Sequence, residues 1–257
     1  MVASAKDRSS AVASRPHFAA SDASIFSVSK LEMAYAANRP WPFAETRRDE
    51  IAAHFAALKQ KNPALWNGRV LMLGDYTVSA AIFRGTFFSV DFASFLAWRH
   101  WGYPDPGVRD CFAMGALRGA DGAFLLGVMA ASTANAGLIY FPCGTPDHSD
   151  IVGDKVDLEA NIARELAEET GLDITAFVAA PDWVTVLLGP WVANMKLLQA
   201  REPAAELRGR ILDFLARQNR PELSDIRIVR GPDDIDPMMP PHVVAYLRHM
   251  WQSDVRT

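Results

Sequence analysis

The chain has only two cysteines in 257 residues, Cys111 and Cys143, with no C-x-x-C spacing and no neighbouring histidine to complete a zinc set. That scarcity excludes a disulfide framework and a structural zinc cluster, and two reduced thiols are expected. No apolar run approaches the ~20 residues that span a bilayer. Basic residues are scattered, with no run of five or more, and the net charge is -4. Neither a membrane segment nor a nucleic-acid-coating surface is therefore expected. Repeats and low-complexity blocks are absent beyond the first residues. His17, His54, His100, His242 and His249 form no metal-ligand spacing.

What remains is a chain that is half hydrophobic and long enough to bury a substantial core, the profile of a soluble, cytoplasmic globular protein. Residues 1–24, rich in Ala, Ser and Arg but without a signal-peptide apolar core, read as a disordered leader. Ser24–Ser29 alternates like a half-buried strand, and Ala44–Lys59 carries Ile51, Phe55 and Leu58 at helical spacing. Short strands are expected at 69–73, 79–83 and 86–90, with Asp91 capping an aromatic helix through His100. The turn residues Gly102 to Gly107 set a domain boundary, giving an accessory α+β region over 25–107 and a second domain over 108–257.

In the second part, Asp121-Gly122 signals a hairpin between strands at 112–117 and 123–128, and a third strand, Gly137–Phe141, runs into Pro142-Cys143-Gly144. A helix is expected from Asp157 to Thr170, then strands at 176–178, 183–188 and 226–229, and helices at 204–217 and 241–251. The fold class is α/β or α+β, a mixed sheet sandwiched by helices with a smaller N-terminal α+β part.

On the 157–170 helix, Glu165, Glu168 and Glu169 fall within an arc of roughly 100°, beside the buried side formed by Ile162, Ala163, Leu166 and Thr170. Like charges three and four residues apart destabilise a helix unless cations intervene. A solvated acidic face is one reading. Hard divalent cations that prefer oxygen ligands give the other.

Arg164-Glu165-Leu166-Ala167-Glu168-Glu169-Thr170-Gly171-Leu172 resembles the second half of the Nudix hydrolase signature, G-x5-E-x7-R-E-U-x-E-E-x-G-U, at every specified position. The first half departs: Val156 stands where the family has Glu, and Asp150 where it has Gly. Pro142-Cys143-Gly144 is similar to the family's Pro-Gly-Gly, displaced so that the loop to the helix is longer. The resemblance implies a fold with Glu165, Glu168 and Glu169 as ligands of Mg²⁺ or Mn²⁺. Glu168 has a second possible role, bracing Arg164. Asp154, Asp157 and Glu159 are candidates for the lost brace, with Asp157 capping the helix or pairing with Arg164.

An acid outside the signature often serves as general base in the family, which makes Glu202 and Glu206 candidates. Gly144 and His148 on the phosphate-facing loop, with Trp183 and Trp191 as stacking or packing residues, complete the set. The implied activity is hydrolysis of a phosphoanhydride in a small-molecule nucleoside diphosphate derivative. The stretched loop and added N-terminal part resemble the branch that includes UDP-glucose diphosphatases. The alternative is an inactive Nudix-like domain that binds a nucleotide for regulation. A homodimer stays open.

Overall fold

β5 (Asp110–Arg118) and β6 (Phe124–Met129) form the expected hairpin, and β6 pairs on its other side with β13 (Leu223–Val229) and β7 (Ile139–Tyr140). The structure, a computed structural model, describes residues 18–63 and 65–254. On the far side of β5 lies β12 (Trp191–Ala200), running parallel to it, then β11 (Trp183–Leu188) and β1 (Ser24–Val28), with β10 (Phe177–Ala179) on β12. This eight-stranded mixed sheet has the order β1-β11-β12-β5-β6-β13 along its main path.

The smaller sheet, β3-β4-β2-β9-β8, is built on the long hairpin of β3 (Arg69–Ser79) and β4 (Ile82–Asp91). The strand expected at 79–83 is instead the turn of that hairpin. Ala80 and Ala81 both have positive φ, 50° and 59°, as a two-residue turn matched to strand twist requires. β2 (Lys30–Tyr35) runs parallel to β4. The loop before the signature helix folds into a short hairpin, β8 (Ile151–Val152) and β9 (Lys155–Val156), that extends this sheet through β2. Each sheet thus takes strands from both sides of residue 107.

The expected 44–59 helix is broken at Arg47 into α1 (Pro42–Thr46) and α2 (Arg48–Lys61), and Asp91 caps α3 (Phe92–His100) by accepting from Ser94 N at 2.9 Å. α4 (Leu158–Thr170) lies on one face of the large sheet, where Ile162 meets β5 at Gly115. α6 (Pro241–Asp254) lies on the other, with His242 against Phe112 and Tyr246 against Phe124 and Phe141. Gly115 and Phe112 are three apart on β5, so they point to opposite faces.

One hydrophobic core joins residues of both sheets, including Met33, Leu71 and Phe83 with Met114, Ile162 and Leu166. A second, around Trp41, Phe88 and Trp98, lies under α2 and α3. Each fully buried large side chain contributes about 1.5–3 kcal/mol, so a core shared between sheets ties them together.

The leader expected over 1–24 lies, for residues 1–17, outside the described residues. Its last residues belong to the fold. The Phe18 ring packs at 5.5 Å on Trp191 and 6.4 Å on Tyr103, and Ser24 already pairs with Leu187. Burial of an aromatic ring outweighs the polar composition from which the leader was read. Among the described residues no helix is long and apolar enough to cross a membrane.

Candidate active site

α4 begins where Asp157 accepts from Glu159 N at 3.1 Å and Ala160 N at 2.9 Å, satisfying donors that the helix itself leaves free. It stops at Gly171, whose φ of 69° is left-handed and whose missing side chain admits the Phe214 ring. Between these ends the three carboxylates do not share one environment. Glu165 and Glu169 are buried, whereas the Glu168 side chain is 61% exposed. Glu169 falls in the middle of the helix face that packs on the sheet, and Glu168 lies at its solvent edge.

Arg164 lies between two acids. Its Nη1 is 2.7 Å from Glu165 Oε1, and its Nη2 is 3.3 Å from both oxygens of Asp150. The buried Asp150 also accepts from Asn161 Nδ2 at 3.0 Å and Asp147 N at 2.9 Å. The brace considered for Asp154, Asp157 or Glu159 is therefore supplied by Asp150, the residue that occupies the signature's glycine position. Asp157 makes the cap but not the pair with Arg164. The reason is the β8–β9 hairpin: its base closes where Asp157 N donates to Asp150 O at 2.8 Å, which brings Asp150 alongside the helix. Val156, at the position of the family's Glu, is buried in the core. Glu159 instead lies 3.6 Å from Lys196.

The loop after β7 closes over the buried pair. Cys143 N donates to Glu169 Oε2 at 3.3 Å, and Pro142 O accepts from Gly115 N at 3.1 Å. A Cβ at Gly144 would collide with the Glu165 carboxylate, so only glycine lets the backbone approach this closely. Burial pushes the Glu165 carboxyl up to about 7; Arg164 pulls it down, and Glu168 and Glu222 push it further up. Burial likewise holds Glu169 well above the carboxylate range, with Glu165 and Glu222 adding to the effect. Burial also raises the Cys143 thiol, next to the charges of Glu169, Glu165 and Asp110.

The acid from outside the signature that acts on both buried carboxylates is Glu222, an exposed residue just before β13. Glu202 is instead paired with Arg210, and Glu206 sits in the first turn of α5 (Ala204–Leu215). Nothing in the sequence marks Glu222, since only the placement of β13 next to β6 brings it near.

Among the described residues no three His, Cys, Asp or Glu side chains converge as a complete metal-holding group. The pair of Glu165 and Glu169 nevertheless fits a hard divalent cation. Both are oxygen donors with few partners of their own: Arg164 for Glu165 and the Cys143 N–H for Glu169. Magnesium is commonly held by one or two carboxylates, with water and substrate phosphates filling the other positions.

Arg164, Glu165, Glu169 and Gly144 are thus brought together, with Glu168 at 3.4 Å from Arg164 on the solvent side. His148 and Trp183 are placed elsewhere. His148 Nε2 is 2.8 Å from Ser89 Oγ, and its ring edge meets Tyr35, which ties the loop to the smaller sheet. Trp183 is 3% exposed, with Lys196 Nζ 4.7 Å from its ring centre. It lines a cleft of about 980 Å³ at the other end of α4, together with Lys30, Arg84, Lys155, Glu159 and Lys196. Trp191 packs among Phe18, Tyr103 and His242.

The arrangement is thus a helix carrying two buried carboxylates under a Pro-x-Gly loop, on one face of a mixed sheet. No family model matches the sequence, and no curated protein matches it. Solved structures that align with part of this chain include a Nudix hydrolase from M. smegmatis, RenU, at 17% identity and a TM-score of 0.36, covering 57% of this chain and 84% of that one. A MutT protein from Methanosarcina mazei Go1 aligns at 16% identity and a TM-score of 0.36, covering 58% and 96%. A bifunctional NMN adenylyltransferase/ADP ribose pyrophosphatase from Francisella tularensis, in complex with AMP and a Mn ion, aligns at 13% identity and a TM-score of 0.35, covering 56% and 42%.

Proposed function

We propose that this protein is a divalent-metal-dependent hydrolase of a phosphoanhydride in a nucleoside diphosphate linked to another group, with a nucleotide sugar as the leading substrate. The observation that carries this reading is the buried, under-compensated pair Glu165 and Glu169, braced through Arg164 by Asp150 and covered by Gly144. Two carboxyls at this burial with one cationic side chain are driven towards their protonated forms, and a bound cation would favour the ionised pair instead. Bound Mg²⁺ or Mn²⁺, held by Glu165 and Glu169, would neutralise phosphate oxygens and make a water more acidic.

The chain's own residues do the rest. Asp150 fixes the Arg164 guanidinium, which in turn fixes one oxygen of Glu165. The Cys143 N–H fixes one oxygen of Glu169. Glu222, exposed and next to the pair, accepts the proton of the attacking water. The water oxygen bonds to one phosphorus as the bridging P–O bond breaks, giving a nucleoside monophosphate and a sugar phosphate. The lengthened loop from Pro142 to Val156 and the N-terminal part, where the chain leaves the family pattern, are the regions that support the nucleotide-sugar assignment.

The test is monophosphate release from nucleotide sugars, dinucleoside polyphosphates, NADH and nucleoside triphosphates with Mg²⁺ or Mn²⁺. Turnover of nucleotide sugars is expected, and Glu169→Gln should lower kcat about 10²–10³-fold, the scale for losing one charge-stabilising group. A second reading, a nucleotide-binding domain without turnover, draws on the absence of a third converging ligand among the described residues. Retained ligand binding with no turnover of any compound would establish it.

A further inference from the structure

Arg99, in the last turn of α3, comes from the N-terminal part but reaches the loop between β6 and β7, the strand that leads into Pro142-Cys143-Gly144. Its Nη2 donates to Asn135 Oδ1 at 2.8 Å, and Asn135 Nδ2 donates to the Tyr140 hydroxyl at 3.1 Å. Tyr140 lies three residues before Cys143, whose N–H holds Glu169. The Tyr140 hydroxyl is within electrostatic reach of Glu169 and Cys143 on one side and of Arg99 on the other. Arg99 and Glu169 are thus linked through Tyr140, which both charges act on.

Arg99 is half-buried, yet among the described residues it forms no ion pair. Its one hydrogen bond goes to a neutral amide, which leaves most of its five donors unused. Ordering and partly dehydrating a guanidinium without an anion is unfavourable. The fork geometry of arginine suits phosphate oxygens that can take two donors at once. The buried Asp110 is the acid its charge acts on, at longer range than an ion pair.

We infer that Arg99 is a phosphate-recognition residue: the N-terminal part supplies the cationic wall opposite Glu165 and Glu169, and Arg99 takes an oxyanion of a bound diphosphate. This inference rests on the hydrolase reading for the identity of its ligand, a diphosphate, and it assigns to the first hundred residues a direct part in the site. Asn135, itself bonded to the Tyr140 hydroxyl, holds the guanidinium, so the loop between β6 and β7 sets its position. A purely structural Arg99 would clamp that loop and leave anion affinity untouched.

The experiment is titration calorimetry of methylenediphosphonate, a non-hydrolysable stand-in for the P–O–P group, into the full chain with Mg²⁺. Arg99→Gln should bind about tenfold more weakly or worse, the usual worth of a charge-assisted hydrogen bond. If that variant fails to fold, Arg99→Lys, which keeps the charge but loses the fork, should still bind several-fold more weakly, at about the lower end of the same range. Affinity within about twofold of the parent chain in the folded variant, or no binding by the parent chain, would overturn the inference. The two readings fail separately. Binding that depends on Arg99 with no compound hydrolysed would remove the hydrolase and keep the anion site. Hydrolysis that proceeds while Arg99→Gln binds as well as the parent would do the reverse.

Discussion

The two ends of α4 treat acidic side chains differently. At the N-terminal end Asp157 is committed to the helix cap, and Glu159 lies 3.6 Å from Lys196. Glu32, across the adjoining cleft, is held between Lys30 at 3.0 Å and Arg84 at 2.7 Å. At the C-terminal end Glu165 and Glu169 are buried, Glu165 with Arg164 beside it and Glu169 with no ion pair among the described residues, and Glu222 acts on both. The roomy cleft of about 980 Å³ belongs to the balanced end. On the proposed function, the perturbed carboxyls rather than the larger cavity mark the site.

Breaking the brace should have the largest effect on this contrast. Asp150→Ala leaves Arg164 without its buried partner, an expected loss of about 3 kcal/mol in unfolding free energy. It should also lower metal-dependent turnover about 10–100-fold, the usual cost of losing a group that orients a ligand. Denaturant unfolding and steady-state rates measure the two separately. Wild-type values in both would mean that Arg164 does not depend on Asp150.

A buried group on the opposite face of the sheet supplies a control that involves neither end. His242 has both ring nitrogens buried without a hydrogen-bond partner among the described residues, and burial lowers it to about 3. Below its ordinary value of about 6.5 the unfolded chain takes up a proton that the folded chain refuses, so stability falls as pH drops from there towards 3. Asp110, raised by burial to about 6, acts oppositely: its folded form holds a proton longer, so stability rises as pH falls through the same window. The two contributions partly cancel in the parent chain. His242→Phe removes only the histidine contribution, and its stability advantage over the parent should grow by about 3 kcal/mol between pH 7 and pH 4. Unfolding curves at the two pH values decide it; a constant difference would show that the imidazole is not buried as described.

The smallest effect is expected at the balanced end. Glu159→Gln should leave turnover within about twofold, since surface ion pairs contribute roughly 0–1 kcal/mol. A large loss of activity there would move the site to the cleft.

The carboxylates of α4 and its capping residues were legible in the sequence because helical spacing and Gly171 are local signals. Strand β12 was not. Trp191 to Ala200 is buried on both faces, so it shows no alternation, and Asn194 and Lys196 interrupt its apolar run. Asn194 is tolerated there because it accepts from Thr185 Oγ1 at 2.8 Å and donates to Phe112 O at 3.3 Å, partners that only the folded sheet supplies. Tertiary hydrogen bonds of this kind have no counterpart in local pattern. The same holds for Asp150, fourteen residues before Arg164, whose role depends on the β8–β9 hairpin folding back onto β2. The hairpin turn at Ala80-Ala81 was hidden for another reason: alanines adopt positive φ there without the glycine or asparagine that announces such turns.

The central claim is that Glu165 and Glu169 together hold a divalent cation. Its most direct test is the paramagnetic resonance signal of free Mn²⁺ titrated with the full chain and with Glu169→Gln. The parent chain should deplete the free-ion signal, and the variant should do so about 10-fold less effectively or worse. Equal depletion by both, or none by the parent chain, would contradict it.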